Sequence, residues 1–165
     1  MTLTIRTALP EEAAELVALL LRSKAVWGYD AAFMGETQRQ AQRAITPETI
    51  TTHPTFAAEI DRALAGFVCL CPWASDPEGI EIDWLFVDPA YIGRGVGRAL
   101  VGHAAAAARQ LGACRLWVVS DQNAEGFYRA MGMTRVGEEE SSVQSGRMNP
   151  VLCCDLAGQT AGPTA

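Results

Sequence analysis

Three alternating glycines in the middle of the chain constrain its fold more than any other feature. Gly93, Gly95 and Gly97 stand between residues 80–87, an apolar run typical of a strand, and residues 95–111, a helical pattern. A strand that turns into a helix through bare glycines presents unpaired main-chain N–H groups where the helix dipole also favours an anion. We therefore expect an α/β fold with a phosphate-binding turn.

The spacing of the glycines limits which phosphate compound this turn could bind. Three glycines flanked by Arg94 and Arg98 exceed what one tight turn with positive φ requires. The absence of G-x-x-x-x-G-K-[ST] excludes a nucleoside-triphosphate P-loop. The dinucleotide pattern G-x-G-x-x-G also fails, because Arg98 or Leu100 occupies its last position in the two available frames. We therefore expect the turn to bind the pyrophosphate of a ligand that belongs to neither of these two classes.

The rest of the chain predicts a mixed sheet flanked by helices. The predicted strands are residues 3–7, 56–60, 64–71, 80–87, 115–119, 133–138 and 151–156. One predicted helix begins at Pro10, and three others cover residues 31–44, 95–111 and 122–131. The early strands suit antiparallel pairing, whereas strand, helix and strand over residues 80–119 imply one parallel pair. We expect one domain over residues 1–156 and a small, polar, disordered tail over residues 157–165.

Charge and cysteine content exclude several functional classes. A net charge of −6 and a pI near 4.9 disfavour sequence-independent binding to nucleic acid. The longest apolar run, residues 13–21, is interrupted by Glu15 and is too short to span a bilayer, so we expect a cytoplasmic protein without a membrane partner. The five cysteines form no C-x-x-C and have no histidine nearby, which predicts neither a metal site nor a disulfide framework.

The glycine turn resembles motif A of the GNAT superfamily of N-acetyltransferases, [QR]-x-x-G-x-[GA]. Residues 92–97 read Ile-Gly-Arg-Gly-Val-Gly, so Gly95 and Gly97 match the two motif glycines. Ile92 replaces the leading Gln or Arg, which removes one side chain and keeps the main-chain cradle. The resemblance implies a single-domain GNAT-like fold, with a mixed, mostly antiparallel sheet and a parallel strand–helix–strand core, and it implies acetyl-CoA as the cosubstrate.

A second segment, residues 123–133, is similar to the superfamily's motif B, N-x-x-A-x-x-[FL]-Y-x-x-x-G-[FM], apart from the position of the alanine. Taken alone, Asn123 would be a helix cap and Tyr128 a core aromatic. By resemblance, Asn123 holds the pantetheine arm and the Tyr128 hydroxyl meets the CoA sulfur. The implied cosubstrate-binding residues are Leu85, Phe86, Val87, Ile92, Gly93, Arg94, Gly95, Val96, Gly97, Arg98, Asn123 and Tyr128.

Two carboxylates on the strand before the turn are candidates for the catalytic base. An amine attacks a thioester only as the free base, so a group must take a proton from the ammonium. Alternation predicts that Glu81 and Asp83 share a face with Leu85 and Val87, and geometry alone does not separate the two. By resemblance to histone-type members, Glu81 is the base and Asp83 its helper or the alternative base. Solvent-facing carboxylates without a role are the competing interpretation.

These residues predict direct transfer in a ternary complex. Glu81 takes the proton, either directly or through water, the Val87 N–H polarises the thioester carbonyl, and Tyr128 protonates the departing thiolate. A covalent route through Cys69 or Cys71 is the rival mechanism, and no histidine is placed in the sequence to activate either thiol.

The sequence constrains the identity of the amine acceptor less than it constrains the cosubstrate. By resemblance, Trp27, Tyr29, Phe33 and Trp84 line its pocket, although core packing explains these aromatics about as well. Two carboxylates near the thioester suit a small cationic amine; a polyamine, an amino acid, an antibiotic and a protein N-terminus all remain open.

Two other functional classes are compatible with parts of the sequence. A non-catalytic acyl-CoA sensor would keep the glycines and Asn123 but would need neither carboxylate nor Tyr128. A nucleotide-dependent oxidoreductase is disfavoured by the glycine spacing. Homodimerisation through the last strands is compatible with the sequence, which does not decide it.

Overall fold

The structure, a computed structural model, describes residues 1–156 and contains a seven-stranded sheet within that range. The strands are β1 (Leu3–Thr7), β2 (Thr55–Ile60), β3 (Ala63–Pro72), β4 (Gly79–Val87), β5 (Arg115–Val119), β6 (Thr134–Glu140) and β7 (Met148–Asp155). The helices are α1 (Ala13–Ala25), α2 (Ala31–Ala44), α3 (Pro47–Thr52), α4 (Val96–Gln110) and α5 (Glu125–Ala130). The tail expected to be disordered, residues 157–165, lies outside the described residues.

The strands follow the order β1-β2-β3-β4-β5-β7-β6 across the sheet. Every neighbouring pair is antiparallel except β4 and β5, which run parallel and are connected through α4. This arrangement confirms the predicted α/β architecture, in which one strand–helix–strand unit interrupts an antiparallel sheet.

The sheet is covered on both faces, and each face has its own apolar core. On one face α4 packs against the sheet, with Leu100 and Ile82 fully buried between them. On the other face α1, α2 and α3 cover the sheet, and Leu16 packs in a cluster with Phe67. The apolar stripes recognised in the sequence therefore point inward from both layers.

The parallel strands β4 and β5 separate part-way along their length. They pair from Gly79 with Arg115 to Ile82 with Val118, and no pairing continues beyond that point although β4 runs on to Val87. Among the described strands, the carboxyl-terminal half of β4 is therefore bonded only to β3. The sheet is split at this point, and the split positions the candidate site.

A β-bulge in β4 corrects one prediction about the carboxylates. Cys69 of β3 pairs with Trp84 and the next residue, Leu70, pairs with Ile82, so Asp83 has no partner in the register. The inserted residue reverses the alternation. Ile82 and Leu85 consequently pack on the α4 face. The expectation that Glu81 and Asp83 share a face with Leu85 and Val87 is wrong.

Helix starts in the first half of the chain follow local capping rules. The Asp30 carboxylate accepts the Phe33 N–H at 2.8 Å and starts α2, whose predicted limits are confirmed. Thr46 caps α3 in the same way, and this short helix was not predicted because six residues are too few to establish a periodic pattern.

Among the described residues, no helix has the length and apolar character needed to cross a membrane.

Candidate active site

A cavity of about 600 Å³ occupies the split between β4 and β5. Its walls are the carboxyl-terminal halves of these two strands, the connector between α1 and α2, the start of α5 and the loop between β6 and β7. It reaches the glycine turn at Ile92 and Gly97. The cavity therefore connects both sequence motifs and both candidate carboxylates in one space.

The glycine turn presents a row of free main-chain donors. Gly93 and Gly95 adopt left-handed conformations with φ of +80° and +81°, which a side chain would strain. Gly97 instead lies where a Cβ would come within 3.1 Å of the Phe127 ring, so it permits close packing of α4 on α5. The N–H groups of Gly93 and residues 95–98 have no acceptor among residues 1–156. These donors can bind a pyrophosphate.

The main chain of β4 offers a second set of donors and acceptors. Asp88 donates its N–H to the Ala65 carbonyl oxygen at 2.8 Å, which makes the Gly66 and Val87 pair a non-hydrogen-bonded one. The N–H and C=O of Val87 therefore point away from β3, toward the split. An extended ligand lying there can hydrogen-bond to β4 as a missing strand would.

Glu81 and Asp83 lie together at the bulge. The Cys71 sulfur and one oxygen of each carboxylate are all within 4.8 Å of one another. Burial raises the pKa of Glu81 to about 7, and the charge of Asp83 adds to this effect. Burial also raises the pKa of Asp83, while the nearby His53 lowers it. At neutral pH the pair can therefore accept a proton.

Tyr128 lines the cavity, and its hydroxyl has no hydrogen-bond partner among the described residues. The residue is only 5% exposed. Burial raises its pKa, so the phenol stays protonated and can donate.

A polar network across one end of the cavity was not predicted from the sequence. Asp121 accepts hydrogen bonds from Lys24 at 2.8 Å and from the Tyr29 hydroxyl at 2.6 Å. Burial opposes ionisation of Asp121, but the bond and charge of Lys24 outweigh burial and lower its pKa to about 2. Arg147, from the loop after β6, donates to the Tyr29 hydroxyl at 2.8 Å. No local pattern relates groups so far apart in sequence.

Asn123 is oriented by this network. Its Nδ2 donates to the Tyr29 hydroxyl and to Asp121 Oδ1, each at 3.0 Å. Its Oδ1 has no donor among the described residues and remains available in the cavity wall. Asp121, rather than Asn123, caps the following turn, because Asp121 Oδ1 accepts the Asn123 N–H at 2.8 Å.

Of the four aromatics expected in the acceptor pocket, three line the cavity: Trp27, Phe33 and Trp84. Tyr29 does not; it stacks on Phe33 with ring centroids 4.0 Å apart and serves the polar network.

The expected cosubstrate residues fall into two groups. Those that line the cavity are Leu85, Phe86, Val87, Ile92, Gly97, Asn123 and Tyr128. Gly93, Arg94, Gly95, Val96 and Arg98 lie beyond its wall on the turn, where the Val96 side chain is buried in the core and Arg94 and Arg98 are exposed.

The known proteins that this chain is similar to belong to one family of acetyltransferases. The model of the Acetyltransferase (GNAT) family matches residues 18–133. The chain is 34% identical to the peptidyl-lysine N-acetyltransferase YjaB of Escherichia coli over 85% of this chain and 88% of that protein. It is 38% identical to the uncharacterized N-acetyltransferase MJ1207 of Methanocaldococcus jannaschii over 58% of this chain, spanning 43% of that relative.

A solved structure supports the fold independently of sequence. The PaiA N-acetyltransferase of Thermoplasma acidophilum, determined in complex with coenzyme A, superposes with a TM-score of 0.76 at 19% identity. The superposition covers 94% of this chain and 99% of that one, so nearly the whole chain shares this architecture.

Proposed function

Because this chain belongs to the GNAT family of acetyltransferases, we propose that it transfers an acetyl group from acetyl-CoA to a cationic primary amine by direct attack in a ternary complex. The observation that carries the proposal is that one cavity is lined by part of the glycine turn, by Tyr128 and by both Glu81 and Asp83. The acceptor is a small amine or the lysine side chain of a peptide.

Glu81 is the proposed base. It lies in the cavity wall beside the split, and its pKa of about 7 matches the value at which a general base is both ionised and effective near neutral pH. Asp83 assists by its charge, which favours retention of a proton on its neighbour after transfer. Asp83 is also the alternative base.

The remaining steps use two hydrogen-bond donors. The Val87 N–H, directed into the split, stabilises negative charge on the thioester oxygen as the amine attacks. The Tyr128 hydroxyl protonates the thiolate that leaves. A covalent cysteine intermediate is disfavoured because burial raises the pKa values of both Cys69 and Cys71, and the negative charges beside Cys71 raise its value further.

The charges in the cavity favour a cationic acceptor. Lys24 and Arg147 are both close to Asp121, which balances them in part. Glu139 lines the cavity near Glu81 and has no cationic partner among the described residues. The aromatic wall suits the alkyl stem of an amine, and the name of the Escherichia coli relative, a peptidyl-lysine N-acetyltransferase, is consistent with a lysine-like group.

The proposal is tested by measuring CoA release from acetyl-CoA with a panel of amines: diamines, lysine, a lysine-containing peptide and a neutral-stem monoamine. We expect turnover with the diamines, lysine and the lysine-containing peptide, weaker turnover with the monoamine, and loss of at least about 100-fold in kcat in Glu81→Gln. Acetyl-CoA binding by calorimetry without turnover on any amine would instead favour an acyl-CoA sensor. Retention of full activity in Glu81→Gln would assign the base elsewhere, with Asp83→Asn as the next variant.

A further inference from the structure

Cys71 faces the proposed base directly. It is the register partner of Glu81 across the β3 and β4 ladder, and its thiol donates to Glu81 Oε2 over 3.4 Å. This is the only hydrogen bond that Glu81 makes through its side chain to a described residue. Cys69, two residues earlier on the same face, instead accepts from the Thr55 hydroxyl at 3.4 Å.

We propose that Cys71 is a positioning residue for acetyl transfer, whose thiol orients the Glu81 carboxylate and stabilises its ionised form. This inference rests on the proposed role of Glu81 as base. It differs from the covalent route, because the thiol acts as a donor and forms no bond to the acetyl group.

The surroundings of Glu81 explain why one weak donor matters. Burial disfavours the carboxylate, and the charges of Asp83 on β4 and Glu139 on β6 disfavour it further. Burial raises the pKa of Asp83, and the nearby His53 opposes part of this rise. Among these groups, Cys71 is the one that lowers the pKa of Glu81.

The state of the thiol fits this role. Burial raises the pKa of Cys71, and the charges of Asp83 and Glu81 raise it further, so the sulfur keeps its proton through the neutral range. A protonated thiol has one hydrogen to donate, and the neighbouring carboxylate oxygen accepts it.

The test compares two variants that differ by a single donor. Cys71→Ser retains a hydroxyl donor and Cys71→Ala lacks one, while both leave a similar space beside Glu81. We expect the apparent pKa on the acid limb of the kcat/KM–pH profile to be about 0.5 pH unit higher in Cys71→Ala than in Cys71→Ser. Cys69→Ala, which removes the thiol that Glu81 does not contact, should leave the limb unchanged.

A direct titration separates this inference from the proposed function. The ¹³C resonance of the Glu81 carboxyl, assigned by its loss in Glu81→Gln, should titrate at higher pH in Cys71→Ala than in Cys71→Ser. Equal titration in the two variants would overturn the role of Cys71. A difference in the titration that the kinetic limb does not follow would instead refute Glu81 as the base, and with it the positioning role in catalysis.

A second pair keeps the test valid if the first pair folds poorly. Cys71→Thr and Cys71→Val have nearly the same shape, suit a strand and again differ by one hydroxyl. The same ordering of pKa values is expected, and its absence in this pair overturns the proposal.

Discussion

Replacing Glu81 by Gln should stabilise the protein while it abolishes the proposed base. Glu81 has a pKa of about 7 in the folded state against an ordinary value of 4.5. The folded protein therefore binds this proton more tightly than the unfolded chain does. Between about pH 4.5 and pH 7 the free energy of unfolding of the natural protein falls as pH rises, because ionisation of Glu81 is easier after unfolding.

The size of the effect follows from the difference between the two pKa values. A difference of about 2.5, at about 1.4 kcal/mol for each factor of ten in proton affinity, corresponds to about 3 kcal/mol above pH 7. Gln has nearly the same shape and carries no charge to bury. The stability gain of Glu81→Gln over the natural protein should thus increase by about 3 kcal/mol between pH 4.5 and pH 8.

Urea denaturation at these two pH values measures the gain, provided that the m-value stays constant. Glu138→Gln supplies the control, since it makes the same chemical change on the exposed strand β6. A Glu81→Gln gain that is the same at both pH values would refute the reasoning, because it would mean that folding does not disfavour the charge on Glu81.

Three further predictions concern the cosubstrate and acceptor sites. Tyr128→Phe should lower kcat by about 100-fold with little change in the melting temperature, because the hydroxyl has no partner among the described residues. Gly97→Ala should weaken acetyl-CoA binding measured by calorimetry, since the added Cβ meets a ring of α5 at 3.1 Å. Gly102→Ala, in open space on the same helix, should instead stabilise by about 0.5–1 kcal/mol and leave binding intact. Glu139→Gln should raise KM for a diamine several-fold more than for a monoamine, whereas Glu138→Gln should raise neither.

The sequence predicted those parts of the fold that depend on neighbouring residues. The limits of α2 follow from a capping Asp30 and a helical stripe, and the turn after β4 follows from its glycines, two of which, Gly93 and Gly95, adopt left-handed φ angles. Each feature is encoded within about four residues, where propensity and capping act.

The features that were missed depend on contacts between distant segments. The bulge at Asp83 arises from how β3 pairs with β4, and alternation within β4 alone predicts the wrong face for Leu85 and Val87. Likewise Tyr29 and Arg147 meet across 118 positions of sequence, through the packing of the last hairpin loop near α2. Pairing and packing of this kind have no local signature.

The split between β4 and β5 also has a consequence for the cooperativity of unfolding. Within residues 1–156, four register pairs, from Gly79 with Arg115 to Ile82 with Val118, are the only ladder between the block β1 to β4 and the block β5 to β7. Amide protons in these four pairs should exchange with solvent through partial openings in which each block stays intact. A ligand bound in the split contacts both blocks, so acetyl-CoA should slow exchange in these four pairs more than in the interior of either block.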